Sequence, residues 1–173
     1  MAMAIRIHKT GGPEVLKWEN VDLEDPKEGE VLMRQTAVGL NLIDTYHRSG
    51  LYPLPLPTTI GSEGAGEVVT VGSGVTDLTV GDRVVVNPRL TCSECRYCIA
   101  GEEEYCLDAN MLGTTTNGSY AEYVTVPAVN TVPLPQDISY EDAAALPTVF
   151  LPSWNMLLRR ASLKPWETVL VLS

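Results

Sequence analysis

At 173 residues, 45% of them apolar, the chain has the size of one domain and enough apolar side chains for an ordinary core. Its net charge of −10, with no cluster of Lys or Arg to offset it locally, repels phosphate backbones and anionic lipid headgroups, so neither nucleic acid nor a membrane surface is an expected partner. No apolar run approaches the roughly 20 residues of a membrane helix, and Met1 to Ile7 alternates like a strand rather than reading as a signal peptide, so a cytoplasmic location is expected.

Short β-type runs dominate as far as residue 135, at 4–8, 30–38, 66–71, 83–86, 119–126 and 129–134. Between them Gly11-Gly12-Pro13, Gly72-Ser73-Gly74, Gly81-Asp82 and Asn117-Gly118 supply tight reversals, a pattern that predicts a small barrel or sandwich. One helix interrupts it at 41–49, with Asn41 as N-cap, Asp44 three residues on as in a capping box, and Gly50 as the stop. His47 is expected on that helix's surface.

All four cysteines, Cys92, Cys95, Cys98 and Cys106, fall in one fifteen-residue window spaced C-x2-C-x2-C-x7-C. Three thiols within seven residues can turn around one ion with Zn–S bonds of about 2.3 Å, and a fourth arriving after Gly101 closes a tetrahedron with no open position. Such a closed site holds structure and does no chemistry. Two disulfides or four unrelated thiols fit less well, because the N-terminus does not read as a secretory leader and a reducing compartment, where disulfides rarely persist, is expected. The neighbouring Glu102-Glu103-Glu104 reads as a solvated loop.

From Ser139 the texture turns helical. Ser139-Tyr140-Glu141-Asp142 is a helix start, and an amphipathic helix is expected from Phe150 to Arg160 beyond interruptions at Pro147 and Pro152. Thr168 to Ser173 is a continuous apolar run of the kind that opens a buried parallel sheet, which implies further strands and helices downstream.

Several of these blocks together resemble the medium-chain dehydrogenase/reductase superfamily: Gly11-Gly12-Pro13-Glu14-Val15-Leu16, Gly39-Leu40-Asn41-Leu42-Ile43-Asp44, Gly61-Ser62-Glu63-Gly64-Ala65-Gly66, Val80-Gly81-Asp82-Arg83-Val84, the cysteine quartet and Gly118-Ser119-Tyr120-Ala121-Glu122-Tyr123. The first 86 residues are most similar to quinone oxidoreductases, whereas the cysteine lobe is what zinc alcohol dehydrogenases carry. The resemblance implies a mainly β, GroES-like, partly open barrel at 1–138 with a zinc lobe at 88–112, connecting helices at 139–166, and at 167–173 the first strand of a nucleotide-binding Rossmann domain that is otherwise missing.

At the positions where alcohol dehydrogenases hold a catalytic zinc, this chain carries Asn41, Ser62 and Thr148. An amide and two hydroxyls are poor ligands for a cation that prefers thiolate, imidazole or carboxylate, so no catalytic zinc is expected. Ile43 and Tyr46 replace the family's proton relay, and only Glu63 remains of the second block. The resemblance then implies a zinc-free quinone or enone reductase with a structural zinc. Asn41, Tyr46 and Tyr52 are its catalytic candidates, Asn41 and Thr148 its cofactor contacts, and NADPH or NADH its cofactor. Asn41 fits a helix cap equally well, and Tyr46 and Tyr52 fit packed aromatics.

Gly64-Ala65-Gly66 and Gly72-Ser73-Gly74 lack the third glycine of a nucleotide fingerprint and read as turns, so the chain alone is not expected to bind the cofactor. The alternatives are a zinc-type alcohol dehydrogenase-like enzyme and a non-catalytic, zinc-stabilised binding or assembly module. A homo-oligomer is compatible with each.

Overall fold

The computed structural model describes residues 1–172. Ten strands alternate with short helices: β1 (Ala2–Ile7), β2 (Lys17–Val21), β3 (Glu30–Val38), α1 (Leu42–Ser49), β4 (Thr58–Thr59), β5 (Gly64–Val71), β6 (Arg83–Val86), β7 (Arg89–Leu90), α2 (Arg96–Ile99), β8 (Asn110–Met111), β9 (Tyr123–Pro127), β10 (Thr131–Pro133), α3 (Tyr140–Ala144) and α4 (Pro147–Trp154). The pairings are antiparallel throughout, in sheets ordered β2-β1-β4, β10-β6-β5-β3-β9 and β7-β8.

The two larger sheets join along one side. Ile5 N–H donates to the Tyr120 carbonyl at 2.7 Å, Glu122 N–H to Met3 at 2.9 Å, and Gln35 N–H to Glu122 at 2.8 Å, so residues 120–122 stitch β1 to β3. Strands β2 and β10 remain at the edges, and the result is the partly open, mainly β barrel that the sequence suggests. The charged, exposed β2 carries no apolar alternation to mark it in the sequence, since no residue in it is buried. As an edge strand it needs no apolar face, and Glu19 there pairs with Arg6 and His8.

Alternation explains the core. Val84 and Val86 on β6, and Val124 and Val126 on β9, point inward while their neighbours are partly exposed. On β3, Val31 and Met33 alternate into the same core as Val124 and Val126, and Leu32 between them is buried on the other face of the strand. The register against β5 shifts between Leu32 and Met33. A second shift lies between Gln35 and Ala37, opposite Gly66, where an added Cβ would overlap the Arg34 carbonyl oxygen.

Beyond β10, Arg83 lies 4.5 Å over the Tyr140 ring and donates to the Pro135 and Ile138 carbonyls, fastening α3 to the sheet through Ala143 and Ala144. The helix that follows differs from the sequence expectation. Pro147 begins it, since a first-turn residue needs no N–H, and Pro152 lies inside it; the chain then widens into a π-helical stretch, Asn155–Arg160. Its apolar side chains, Phe150, Leu151, Trp154 and Leu158 among them, border a groove of about 550 Å³ with Val85 and Val132.

Residues 168–172 form no strand with any described residue, and Leu172 is 85% exposed. A strand exists only through its neighbours' hydrogen bonds, and these apolar residues have none here. Ser173, the last residue of that expected strand, lies outside the described residues.

Truncation of the fully buried Met33 to alanine should lower the unfolding free energy by about 2–5 kcal/mol, whereas Val129→Ala, on an exposed turn, should stay within about 0.5 kcal/mol; urea titrations of both variants measure the difference.

Candidate functional site

Two polar assemblies stand out. The first is the sulfur cluster, carried on an arm between β7 and β8. Ser93 adopts φ 63° and Gly101 φ 73°, the two reversals that let the arm fold back on itself. Cys95 precedes α2, Cys98 lies within it, and Cys106 follows the short 3-10 turn Glu103–Tyr105. The four Sγ atoms lie within 4.8 Å of one another. Cys92 and Cys98 are 3.9 Å apart, Cys95 and Cys98 3.6 Å, and Cys92 and Cys106 3.6 Å. A tetrahedron of thiolates about a zinc at 2.3 Å has edges of roughly 3.8 Å, so the donor set fits that ion.

Backbone amides already point at the sulfurs: Cys92 N–H donates to Cys106 Sγ at 3.5 Å and Cys95 N–H to Cys92 Sγ at 3.4 Å. The thiols split as a result. The amide of Cys98 and its neighbours bring Cys95 down to about 6, whereas desolvation, with the adjacent sulfurs, pushes Cys98 up to about 12. Four thiolates so close repel one another, and a divalent cation removes that conflict.

The second assembly lies where α1, the loop before β5 and the start of α4 meet. Asn41, with φ −119°, caps α1, and its N–H donates to Asp44 Oδ2 at 2.9 Å, the expected capping-box contact; Gly50 closes the helix at φ 87°. Besides its place in the capping box with Asp44, the Asn41 side chain reaches Glu63, Nδ2 donating to Glu63 Oε1 at 2.6 Å. The other Glu63 oxygen accepts Thr148 N–H at 2.7 Å, and Ser62 Oγ lies 3.4 Å from Thr148 Oγ1. Asn41, Ser62 and Thr148 thus gather around Glu63, which is 2% exposed.

Asp44, 3% exposed, also accepts a hydrogen bond from Tyr120 OH at 2.9 Å. Burial holds the Asp44 carboxyl above the usual carboxylate range despite that bond and the Asn41 amide. Burial and the Asp44 charge likewise raise Tyr120, which therefore remains a phenol and a donor. Nothing local marks Tyr120 as a site residue beyond its place in the Gly118–Tyr123 run, because its partner Asp44 lies 76 positions away.

Tyr46 and Tyr52 form a pair of their own near the end of α1, edge to face with centroids 5.6 Å apart, and Tyr52 is half exposed. Among the described residues no hydrogen bond joins either to Asn41, Glu63 or Thr148. His47 corrects the expectation of a surface residue: it is 6% exposed, because the chain after α1 folds back and sets Tyr52 against the ring at 6.3 Å. Burial lowers its pKa below the usual imidazole value.

The sequence matches the family model of the alcohol dehydrogenase GroES-like domain over residues 27–136. A quinone oxidoreductase of Pseudomonas aeruginosa is 39% identical over 171 residues, an alignment covering 98% of this chain and 45% of that protein. A crystal structure of an NAD-dependent alcohol dehydrogenase matches with a TM-score of 0.89 at 40% identity, covering 95% of this chain and 49% of that one. A cobalt- and zinc-bound thermostable alcohol dehydrogenase from Pyrobaculum aerophilum matches with a TM-score of 0.86 at 38% identity, covering 95% and 50%. The chain therefore spans about half the length of the relatives it matches.

The raised Asp44 pKa fixes a sign. Below the unfolded value of 3.8 its contribution to stability is fully present, and it is lost as the pH rises through the higher folded value, because the unfolded chain releases that proton first. Asp44→Asn, which keeps an acceptor for Tyr120 and Asn41 but carries no charge, should gain stability relative to the unaltered chain between pH 3.5 and pH 7; urea midpoints of the two at both pH values test it.

Proposed function

The chain belongs to the family of alcohol dehydrogenase GroES-like domains, the N-terminal catalytic unit of the medium-chain dehydrogenase/reductase superfamily, and from that premise we propose that it is the substrate side of an NAD(P)H-dependent quinone or enone reductase with a structural zinc and no catalytic zinc. The observation that carries this reading is the gathering of Asn41, Ser62 and Thr148 on Glu63. A catalytic zinc needs three protein ligands and an open position, whereas this cluster offers one carboxylate with both oxygens already engaged and otherwise neutral donors.

In this reading a nicotinamide held by a nucleotide-binding domain would supply a hydride to the activated carbon of the substrate, and a proton from water would complete the reduction at oxygen. The chain's part is the oxygen. After its bond to Glu63, the Asn41 amide has a second N–H, and a donor set beside the carbonyl stabilises the negative charge that gathers there. Tyr46 and Tyr52 are proposed to line the same cleft, with Thr148 beside the cofactor. A zinc held by Cys92, Cys95, Cys98 and Cys106 would find all four positions filled by protein sulfur and would order residues 88–112.

An alcohol dehydrogenase reading is favoured by the two dehydrogenase structures that match at 38–40% identity. It requires a second metal, with Glu63 as a ligand, and so separates from the first by stoichiometry.

Metal analysis of protein purified without chelator should give one zinc per chain, and none for Cys106→Ser; two zincs, one of them lost in Glu63→Ala, would favour the dehydrogenase. Chelator should release the single zinc and speed proteolysis within residues 88–112 before the barrel melts.

With NADPH and a benzoquinone, Asn41→Ala in the full-length protein should lower kcat on the order of 10²-fold, the usual effect of losing an oxyanion donor. An unchanged kcat would leave Asn41 a helix cap.

A further inference from the structure

Glu63 stands at a buried junction with Asn41 and Thr148 and has no part yet in the proposed reaction. A carboxylate this far from water must find donors or lose its charge, and here it has two, Asn41 Nδ2 at 2.6 Å and Thr148 N at 2.7 Å. Thr148 is the second residue of α4, so its N–H is one of the first-turn donors that lack a partner within the helix, and the positive end of the helix favours an anion at that spot. The opposite wall is shaped for the carboxylate as well. Gly39 donates its N–H to the Glu63 carbonyl at 3.3 Å, and a Cβ at Gly39 would overlap Oε1. Barrel loop, helix cap and second helix therefore converge on one charged group.

The two donors differ in freedom. A backbone N–H at Thr148 cannot turn, whereas a carboxamide can present either nitrogen or oxygen by rotating half a turn. An ionised carboxylate accepts on both oxygens, so it admits only the nitrogen of Asn41. We infer that Glu63 is a positioning residue for the proposed reduction: it fixes which end of the Asn41 amide faces the carboxylate, and so where the second N–H and Oδ1 stand in the cleft. This rests on the reading of Asn41 as the donor to the substrate oxygen.

Replacement of Glu63 by glutamine keeps the shape and reverses the orientation. The new carbonyl must accept Thr148 N–H, its NH2 then faces Asn41, and the Asn41 amide must turn over to offer Oδ1. Glu63→Asp keeps an acceptor at both oxygens and loses one methylene.

The first measurement is the side-chain amide signal of Asn41 in the nitrogen-15 spectrum of the 173-residue chain, assigned by its disappearance in Asn41→Ala. It should move in Glu63→Gln and move less in Glu63→Asp; an unmoved signal in Glu63→Gln overturns the inference. The second is the rate with NADPH and a benzoquinone in the full-length protein. Glu63→Gln should lower kcat about tenfold or more with the quinone KM within about twofold, Glu63→Asp should retain more of kcat, and Asn41→Ala/Glu63→Gln should be no slower than Asn41→Ala alone, since the two residues act as one unit.

A lower melting temperature for Glu63→Gln with unchanged kcat would reduce Glu63 to a helix cap, and a double variant slower by the product of the two single effects would mean that it acts without Asn41. Either result overturns the inference while the function stands. An unchanged kcat in Asn41→Ala removes the function instead, and the amide signal then still decides whether Glu63 holds that side chain.

Discussion

The gathering of Asn41, Ser62 and Thr148 on Glu63 depends on the crossing of three chain segments at Gly61. Its φ of 103° belongs to glycine, and a Cβ there would strike the Tyr120 ring and Ser119 Oγ. Gly113 and Gly118 press on the same point, since a side chain on either would overlap the Gly61 carbonyl. Across this contact Gly118 N–H donates to Thr59, Ser119 N–H to Gly61, and Tyr120 N–H to Ile60, at 2.8 to 3.0 Å. The ladder then continues through residues 120–122 to β1 and β3, so the same contact that closes the barrel sets Tyr120 against Asp44 and leads the chain from Gly61 into Ser62 and Glu63. A bulkier residue at the crossing would open the barrel and disperse the cleft together.

How legible each element was in the sequence follows from the range of the forces that make it. The capping box of α1 and its glycine stop are local, and Asn41, Asp44 and Gly50 read correctly from three positions. The cysteine quartet is also local, since fifteen residues contain all its ligands. The inner strands β3, β5, β6 and β9 were legible through their valines, with ends displaced by a few residues where bulges or turns intervene. Strand β2 and the buried state of His47 were not, because each depends on a partner distant in sequence or folded back onto it: β1 for the strand, Tyr52 for the imidazole. Glu63 was visible as a residue but not as a junction, since its partners Asn41 and Thr148 stand 22 and 85 positions away.

The sulfur arm and the cleft are joined by one helical run. At its start, Thr148 N–H is held by Glu63; at its end, Arg159 donates to the Gly101 carbonyl at 3.4 Å and lies 3.6 Å from Glu104, while Arg160 meets Glu104 at 3.4 Å and bonds the Tyr105 hydroxyl. Glu104 belongs to the acidic run that the sequence presented as a solvated loop, and the structure gives it two arginines. Exposed ion pairs of this kind contribute about 0–1 kcal/mol each, so they orient the arm against the helix without holding it folded. The task of ordering the arm then falls to the sulfurs, as α2 is a single turn and no residue of it is buried.

A helix fixed at both ends transmits displacement better than one fixed at a single end, and here the two anchors differ in kind. The Glu63 anchor is buried and charge-assisted, and so resists salt and solvent. The arginine anchor is exposed and screened, and it persists only while Glu104, Tyr105 and Gly101 keep their places on the arm. Those three lie between Cys98 and Cys106, and whatever draws the four sulfurs together also sets the far end of the helix. The placing of the sulfur arm in this way bears on the Glu63 junction, by limiting how the helix beginning at Pro147 swings about its buried end.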